Sequence, residues 1–249
     1  EQGMRAAGLD AAGKEVASHS ILVTLVKDMM VAPTYFYVAA ESEYGAGSDR
    51  TLYDTSCTPL RTGADDLKIS TAFFDAVCIE GSGKTDAGVL FNYVRDCDAC
   101  APNTPCPQLS NELGPRRKCW ELLSSDYDWG KAATTRCVAH KPDGGCGLVP
   151  LVSWAVDKSV IDLGTVIYAP KYDGATITAS GGIPAGTLDG CFRADDTGKK
   201  IEKAHVDVFA GTNGVRLQLE RVQASSPEPY DPVIDAVLYH PKCAYLAVP

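Results

Sequence analysis

The sequence is short of several residue types and patterns, and each shortage argues against a class of function. No apolar run approaches the roughly 18 residues that a membrane-spanning helix needs. The four histidines are scattered and show no metal-ligand spacing. No Ser or Cys lies in a nucleophile-elbow sequence, so acyl transfer is not indicated. The net charge of −9 argues against binding to nucleic acids or anionic membranes, because both require cationic side chains to neutralise phosphates.

Cysteine, by contrast, is abundant. An even and dispersed set of ten cysteines predicts five disulfides, formed in an oxidising compartment. The set comprises Cys57, Cys78, Cys97, Cys100, Cys106, Cys119, Cys137, Cys146, Cys191 and Cys243. The spacing from Cys97 to Cys119 also fits a tetrahedral zinc site, but disulfides are the stronger expectation. We expect Cys191 and Cys243 to close a loop around the last strands, and we assign no metal and no cofactor.

Residue patterns along the chain predict a mainly β protein. Residues 1–30 carry apolar residues at helical spacing and are predicted as an N-terminal helical arm. Short β-rich runs separated by turn residues follow, which is typical of one all-β barrel or sandwich domain over residues 31–249. The runs lie at residues 35–38, 67–69, 76–79, 89–93, 165–168, 206–209, 215–219 and 237–239. A disulfide-rich, Cys- and Pro-rich insertion at about residues 95–150 has little periodicity, and we expect disulfides to hold it in place of a core.

A short strand near the end of the chain contains the best candidate for a catalytic group. The two-residue period of a strand puts Val206 and Val208 on one face and leaves Asp207 between His205 and Phe209 on the other. A carboxylate flanked by rings is poorly solvated, which favours its protonated form. Asp207 is therefore our first candidate for a catalytic acid.

Two motifs look like signatures of other enzyme classes but lack their remaining parts. Residues 81–85 (Gly-Ser-Gly-Lys-Thr) look like a nucleotide-binding loop, yet the glycine required before the Gly-Lys pair is Cys78. Asp196-Thr197-Gly198 matches the aspartic-protease triplet, but no second such triplet is present to share a proton. Neither function is favoured.

Three aspartates in their local sequences carry a resemblance to a known family. Asp157, the Ile-Asp-Leu-Gly-Thr segment at 161–165 and the step from Asp196 to Asp207 resemble the 3D (three-aspartate) domain of MltA-type lytic transglycosylases over about residues 150–210. The resemblance implies a six-stranded double-psi β-barrel, a fold shared with family-45 endoglucanases, barwin and expansins. The large second domain of those transglycosylases is expected to be absent.

The resemblance also implies an activity and a role for each residue. A lytic transglycosylase cleaves the MurNAc–GlcNAc β-1,4 bond of peptidoglycan without water and leaves a 1,6-anhydromuramic end. Asp207 matches the single acid/base, Asp196 a supporting carboxylate near the cleft floor, and Asp157 a turn-forming aspartate. Thr197 and Gly198 match the loop that carries Asp196.

Two other functions stay open at this point. A β-1,4-glucan hydrolase of the endoglucanase type needs a second carboxylate as base, for which Asp196 or Asp195, itself a substrate-binding candidate, is available. A non-catalytic, expansin-like module binds polysaccharide without cutting it. In each case Tyr37, Trp129 and Trp154 are candidate surfaces for sugar stacking. The expected protein is a polysaccharide-binding monomer, secreted or in the periplasm or cell envelope, with its signal peptide removed because the chain begins at Glu1.

Overall fold

The computed structural model describes the backbone of residues 2–9 and 15–23 and the full residues of 26–107, 116–132, 134, 141–198, 200–225 and 233–247. Within these ranges, strands β1 to β20 are, in chain order, Gln2–Leu9, Glu15–Val23, Lys27–Tyr37, Ala39–Ala40, Arg50–Thr51, Arg61–Thr62, Asp65–Asp66, Lys68–Ile69, Ser82–Lys84, Leu90–Asp96, Lys118–Leu122, Lys131–Ala132, Cys146–Gly147, Ser153–Val156, Val166–Tyr168, Thr176–Ile177, Gly186–Thr187, Cys191–Asp196, His205–Gly211 and Ile234–Leu238. Helices α1, α2 and α3 span Glu41–Tyr44, Thr71–Glu80 and Asn213–Ala224, and 3₁₀ turns span Pro170–Tyr172 and Pro241–Leu246.

Six strands close into a barrel in the order β14-β18-β15-β20-β3-β19. Strands β14 and β18 pair in parallel, as do β19 and β3, and the other neighbouring pairs are antiparallel. Apolar side chains at 0–1 % exposure fill the interior, among them Val31, Trp154, Ile167, Phe192 and Val206. The closed six-stranded barrel confirms the predicted fold class.

Between β3 and β14 the chain leaves the barrel, and the described residues between 38 and 148 build a second lobe. The sheet β11-β10-β9-β4 and helix α2 enclose a core that contains Phe73, Phe91 and Trp120. Cys106 and Trp120, both from the predicted insertion, are buried in this core. The expectation that disulfides hold the insertion in place of a hydrophobic core is therefore wrong, because the insertion contributes residues to the core of the second lobe.

The N-terminal segment is extended and not helical. Strands β1 and β2 pair antiparallel, and β3 begins at Lys27. The predicted helical arm over residues 1–30 is therefore wrong for the described part of that segment. The β-branched residues Val16, Ile21 and Val23 favour an extended chain, and this preference outweighs the helical spacing of apolar residues.

Two segments predicted as strands, residues 76–79 and 215–219, lie in α2 and α3. The Ser70 hydroxyl caps α2 and the Thr212 hydroxyl caps α3, each by accepting a backbone N–H three residues on. Short apolar runs fit a strand or a buried helix equally well by periodicity. The capping side chains and the later contacts decide for the helix.

Disulfides tie the second lobe and the barrel's last strands. The pairs formed among the described residues are Cys57–Cys100, Cys78–Cys106, Cys97–Cys119 and Cys191–Cys243. The predicted pairing of Cys191 with Cys243 is confirmed, and the cysteines of the zinc alternative are all in disulfides. Cys146 is also disulfide-bonded, and Cys137 lies outside the described residues. Such cross-linking is typical of extracytoplasmic proteins.

Among the described residues, no helix is both long enough and apolar enough to cross a membrane.

Candidate active site

A groove of about 560 Å³ runs between the barrel and the second lobe. Its barrel side carries Asp207 and, at the end of β18, Asp196. Its lobe side includes Glu80 at the end of α2 and the sheet residues Ser82 and Asn92. Of the predicted site residues, the groove brings together Asp207, Asp196, Thr197 and Gly198.

Asp207 lies within β19, opposite Thr34 of β3 and Ala155 of β14. Its chain neighbours Val206 and Val208 are 0 % exposed in the barrel core. Because successive side chains of a strand point to opposite faces, the Asp207 carboxyl points outward and borders the groove. The predicted alternation of this strand is confirmed.

The surroundings of Asp207 favour its protonated form. Burial raises the pKa of Asp207 to about 6. The Thr34 hydroxyl, which donates to Asp207 Oδ1 at 2.8 Å, and the nearby His205 oppose that rise. A carboxyl with such a pKa can hold a proton at mildly acidic pH and can also take one up, which suits both acid and base catalysis.

Asp196 shares the barrel wall with Asp207. It is in register with Ala155, the residue that also pairs with Asp207. The two aspartates are thus two strands apart, or about 10 Å between Cα atoms for strands spaced about 4.8 Å. Thr197 and Gly198 continue from Asp196 along the groove.

Asp157 lies in the turn after β14 and does not border the described groove. Its carboxylate accepts the N–H and the hydroxyl of Ser159 at 2.9 and 2.6 Å and the N–H of Lys203 at 2.7 Å. These hydrogen bonds hold the pKa of Asp157 below its usual range. They join the turn to the segment that leads into β19.

Asp195 is buried, at 1 % exposure, and forms an ion pair inside the protein. Arg193 donates to Oδ1 through Nε at 2.6 Å and to Oδ2 through Nη2 at 3.0 Å. The Ser153 hydroxyl also donates to Oδ2, at 2.6 Å. Since internal partners occupy both oxygens, the assignment of Asp195 to substrate binding, or to the base of a hydrolase, is wrong.

The three aromatic candidates lie outside the described lining of the groove. Trp154 is 0 % exposed and packs on Phe192 in the barrel core. Tyr37 is buried in the core of the second lobe, and its hydroxyl is 2.9 Å from that of Tyr44. Trp129 borders a separate, apolar cavity of about 370 Å³. Buried rings cannot stack on a sugar, so Trp154 and Tyr37 are corrected to core residues.

Glu80 is a groove residue that the sequence patterns missed. It ends α2, and its Oε2 accepts the backbone N–H of Tyr37 at 3.2 Å. Burial raises the pKa of Glu80 to about 7; the Tyr37 N–H opposes the rise, and the charge of Asp207 adds to it. Because the sequence patterns predict a strand at residues 76–79, they place no helix end at Glu80. Gly81, which follows α2 with a positive φ, is the residue that indicates this end.

Glu80→Gln is expected to make the protein more stable than wild type at pH 8, by up to about 3 kcal/mol. The folded pKa of Glu80 lies above its unfolded value, so the folded state loses stability as the pH rises from about 4.5 to about 7. Urea unfolding at pH 4 and pH 8 measures the difference. Glu80→Gln should be more stable than wild type at pH 8 and equally stable at pH 4. Equal stability of the two proteins at pH 8 would contradict the cost of ionising Glu80.

Cationic side chains accompany the carboxyls along the groove: Arg116, Lys118, Lys131 and Lys200. Lys131 lies 3.7 Å from a Glu121 oxygen and 3.5 Å from an Asp143 oxygen, whereas Lys200 is exposed. The groove can therefore receive a ligand that carries both hydroxyl and carboxylate groups, despite the net charge of −9. The described residues contain no cluster of three or more His, Cys, Asp or Glu that could hold a metal ion.

Residues 152–218 match the sequence model of the family described as the 3D domain. The matched segment contains Asp157, Asp196 and Asp207, and the chain therefore carries a 3D domain. No curated protein matches the chain in sequence.

Several solved structures are similar to the chain over most of its length. E. coli MltA with bound chitohexaose is 12 % identical, with a TM-score of 0.48 over 84 % of this chain and 71 % of that chain. MltA from Neisseria gonorrhoeae is 17 % identical, with a TM-score of 0.45 over 86 % and 72 %. The lytic transglycosylase LtgG of Burkholderia pseudomallei is 18 % identical, with a TM-score of 0.40 over 85 % and 71 %.

Proposed function

We propose that this protein is a peptidoglycan lytic transglycosylase that uses Asp207 as its single acid/base. The observation that carries the proposal is the placement of Asp207, a carboxyl with a pKa of about 6 on the wall of a groove. It lies within the segment that matches the 3D domain. A perturbed carboxyl in a cleft is a candidate catalytic group on physical grounds alone.

The reaction needs one protonable group. Protonated Asp207 gives its proton to the glycosidic oxygen as the bond to C1 of MurNAc breaks and an oxocarbenium-like state develops. The resulting carboxylate takes the proton of the muramoyl 6-hydroxyl, whose oxygen bonds to C1 and closes the 1,6-anhydro ring. Asp207 ends the cycle protonated, and no water is consumed.

The rest of the groove provides contacts for the glycan. We assign Asp196 to a supporting role, accepting hydrogen bonds from sugar hydroxyls, with Thr197 and Gly198 shaping the loop beside it. Cationic residues such as Lys200 favour a glycan with carboxylates, which muramic acid and its peptides carry and cellulose lacks. Peptidoglycan is therefore the preferred substrate class.

The pH dependence of cleavage should follow the ionisation of Asp207. Because the acid must begin protonated, kcat/KM is expected to be highest below about pH 6 and to fall about tenfold per pH unit above it. Initial rates on solubilised peptidoglycan between pH 4 and pH 8 measure the curve. A flat profile over that range would contradict a single carboxylic acid as the proton donor.

A β-1,4-glucan hydrolase is the second candidate function. With Asp195 unavailable, its base would be Asp196 or Glu80, both of which border the groove with Asp207. The neutral form of Glu80 predominates below its pKa of about 7, which makes it a poor base at the pH where Asp207 is an acid. This ordering of the two pKa values argues against Glu80 and leaves Asp196 as the base that a hydrolase would need.

Incubation with purified peptidoglycan and, separately, soluble cellulose distinguishes the candidates. The expected result is 1,6-anhydromuramic ends from peptidoglycan and no product from cellulose. Reducing ends from cellulose would replace the proposal with a hydrolase. Binding to either glycan without any product would replace it with an expansin-like binding module.

A further inference from the structure

A chain of hydrogen bonds connects the groove carboxyl to a histidine through one hydroxyl. Thr34 Oγ1 lies 2.8 Å from Asp207 Oδ1 and 2.8 Å from His205 Nε2. The Val206 carbonyl, at 3.4 Å, is a more distant partner of the same hydroxyl. On the far side of the ring, His205 Nδ1 lies 3.2 Å from the carbonyl oxygen of Lys200.

The number of hydrogens on this chain limits its states. A carbonyl oxygen only accepts, so Nδ1 of His205 carries a hydrogen and donates to Lys200. Thr34 has a single hydroxyl hydrogen, which it can give to Asp207 or to Nε2 of His205, but not to both. Where the hydrogen goes therefore depends on which of the two partners is protonated.

Two arrangements satisfy every group. With neutral His205, Nε2 accepts the Thr34 hydrogen, and the Thr34 oxygen accepts a hydrogen bond from protonated Asp207. With cationic His205, Nε2 donates to Thr34, and Thr34 donates to the Asp207 carboxylate. The Thr34 hydrogen thus points to His205 in the first arrangement and to Asp207 in the second.

We propose that His205 is a positioning residue that, through Thr34, keeps Asp207 hydrogen-bonded in both its acid and its base form. It does so by accepting the Thr34 hydrogen whenever Asp207 is protonated. This inference deepens and rests on the proposed function, in which one carboxyl must act first as acid and then as base. In this account neither Thr34 nor His205 touches the substrate. Thr34 bonds the Asp207 carboxyl, and the carboxyl hydrogen leaves Thr34 for the glycosidic oxygen when the glycan is bound.

Other charged groups also face the groove around Asp207. Glu80 from α2, Asp196 from β18 and the Lys200 ammonium border the same space, and Arg216 of α3 acts on Glu80. They stay in place in the variants below. Differences between those variants therefore report on the Thr34–His205 link.

The test is an NMR titration of the Asp207 carboxyl carbon, assigned by its loss in Asp207→Asn. Thr34→Val removes the donor to the carboxylate, so the pKa of Asp207 should rise by about one pH unit. His205→Leu removes the competing acceptor, which lets Thr34 donate only to the carboxylate, and it also removes the His205 charge that lowers the pKa of Asp207. The inference requires the first effect to be the larger, so that the pKa of Asp207 falls by up to about one pH unit. Thr34→Ser and His205→Gln, which retain the hydroxyl and the acceptor, should keep the wild-type pKa.

Opposite shifts in Thr34→Val and His205→Leu are the result expected. A rise in His205→Leu would mean that the histidine acts only through its positive charge, and it would overturn the inference, as would an unchanged pKa. Thermal unfolding checks that each variant is folded. The titration does not depend on activity. Opposed shifts in a protein that cleaves no glycan would contradict the proposed function and leave the Thr34–His205 link supported. Cleavage without opposed shifts would contradict the link alone.

Discussion

Replacing Asp207 by asparagine is expected to abolish cleavage of peptidoglycan, with kcat reduced by about 10³-fold or more. The amide keeps the size of the side chain and can still bond the Thr34 hydroxyl, but it cannot donate a proton to the glycosidic oxygen or take one from the 6-hydroxyl. In the proposed mechanism a single group performs both steps, so no other groove residue is expected to take over. Turnover of soluble glycan strands, followed by chromatography of the products, measures the loss.

The matched control for Asp207→Asn is Asp235→Asn. Asp235 is also on a barrel strand, β20, but it is exposed and does not border the described groove. Wild-type turnover is expected for Asp235→Asn, and thermal unfolding should show that both variants are folded. Wild-type turnover in Asp207→Asn would refute the assignment of the acid/base.

Replacing Asp195 by asparagine is expected to lower the free energy of unfolding by about 3–5 kcal/mol. Arg193 and Asp195 are 3 % and 1 % exposed, and the carboxylate compensates the buried guanidinium. The amide removes that charge and leaves a cation in the protein interior without its partner. Urea unfolding at pH 7 measures the change.

The exposed pair Arg61–Asp66 provides the control for this variant. Its N···O distance is 3.2 Å, but the side chains are 62 % and 35 % exposed. Asp66→Asn is expected to change the free energy of unfolding by less than about 1 kcal/mol. An equally small change in Asp195→Asn would contradict a structural ion pair, and it would reopen a functional role for Asp195.

The mainly β character could be predicted from local signals, whereas the six-stranded barrel followed from the resemblance that the aspartate motif carries. The alternation around Asp207 requires only five consecutive residues, and the aspartate motif fixes the neighbouring segments. The second lobe could not be predicted, because its core brings together residues such as Phe73, Phe91 and Trp120 that lie far apart in the chain. The apolar run at 76–79 fitted a strand or a helix, and only capping and packing decide between them.

The candidate site likewise contains residues that the sequence could predict and residues that it could not. Asp196 and Asp207 follow from the motif, whereas Glu80 reaches the groove only because the second lobe faces the barrel. Thr34 meets Asp207 across a separation of 173 residues, through the parallel pairing of β3 with β19. No local pattern reveals such a contact.

Asp195 is a different case, because a local signal was present. Arg193 and Asp195 are two positions apart on β18 and thus share a face of the strand. An acid and a base so placed indicate an ion pair. The assignment of Asp195 to substrate binding rests instead on its position beside the acidic turn.

The most direct test of the central claim is cleavage of purified peptidoglycan in H₂¹⁸O, with mass spectrometry of the products from wild type and Asp207→Asn. Intramolecular ring closure predicts muramic ends that lack one water and carry no ¹⁸O, and no such products from the variant. Products that have gained water labelled with ¹⁸O would contradict the account, because they would show that water, and not the 6-hydroxyl, attacks C1.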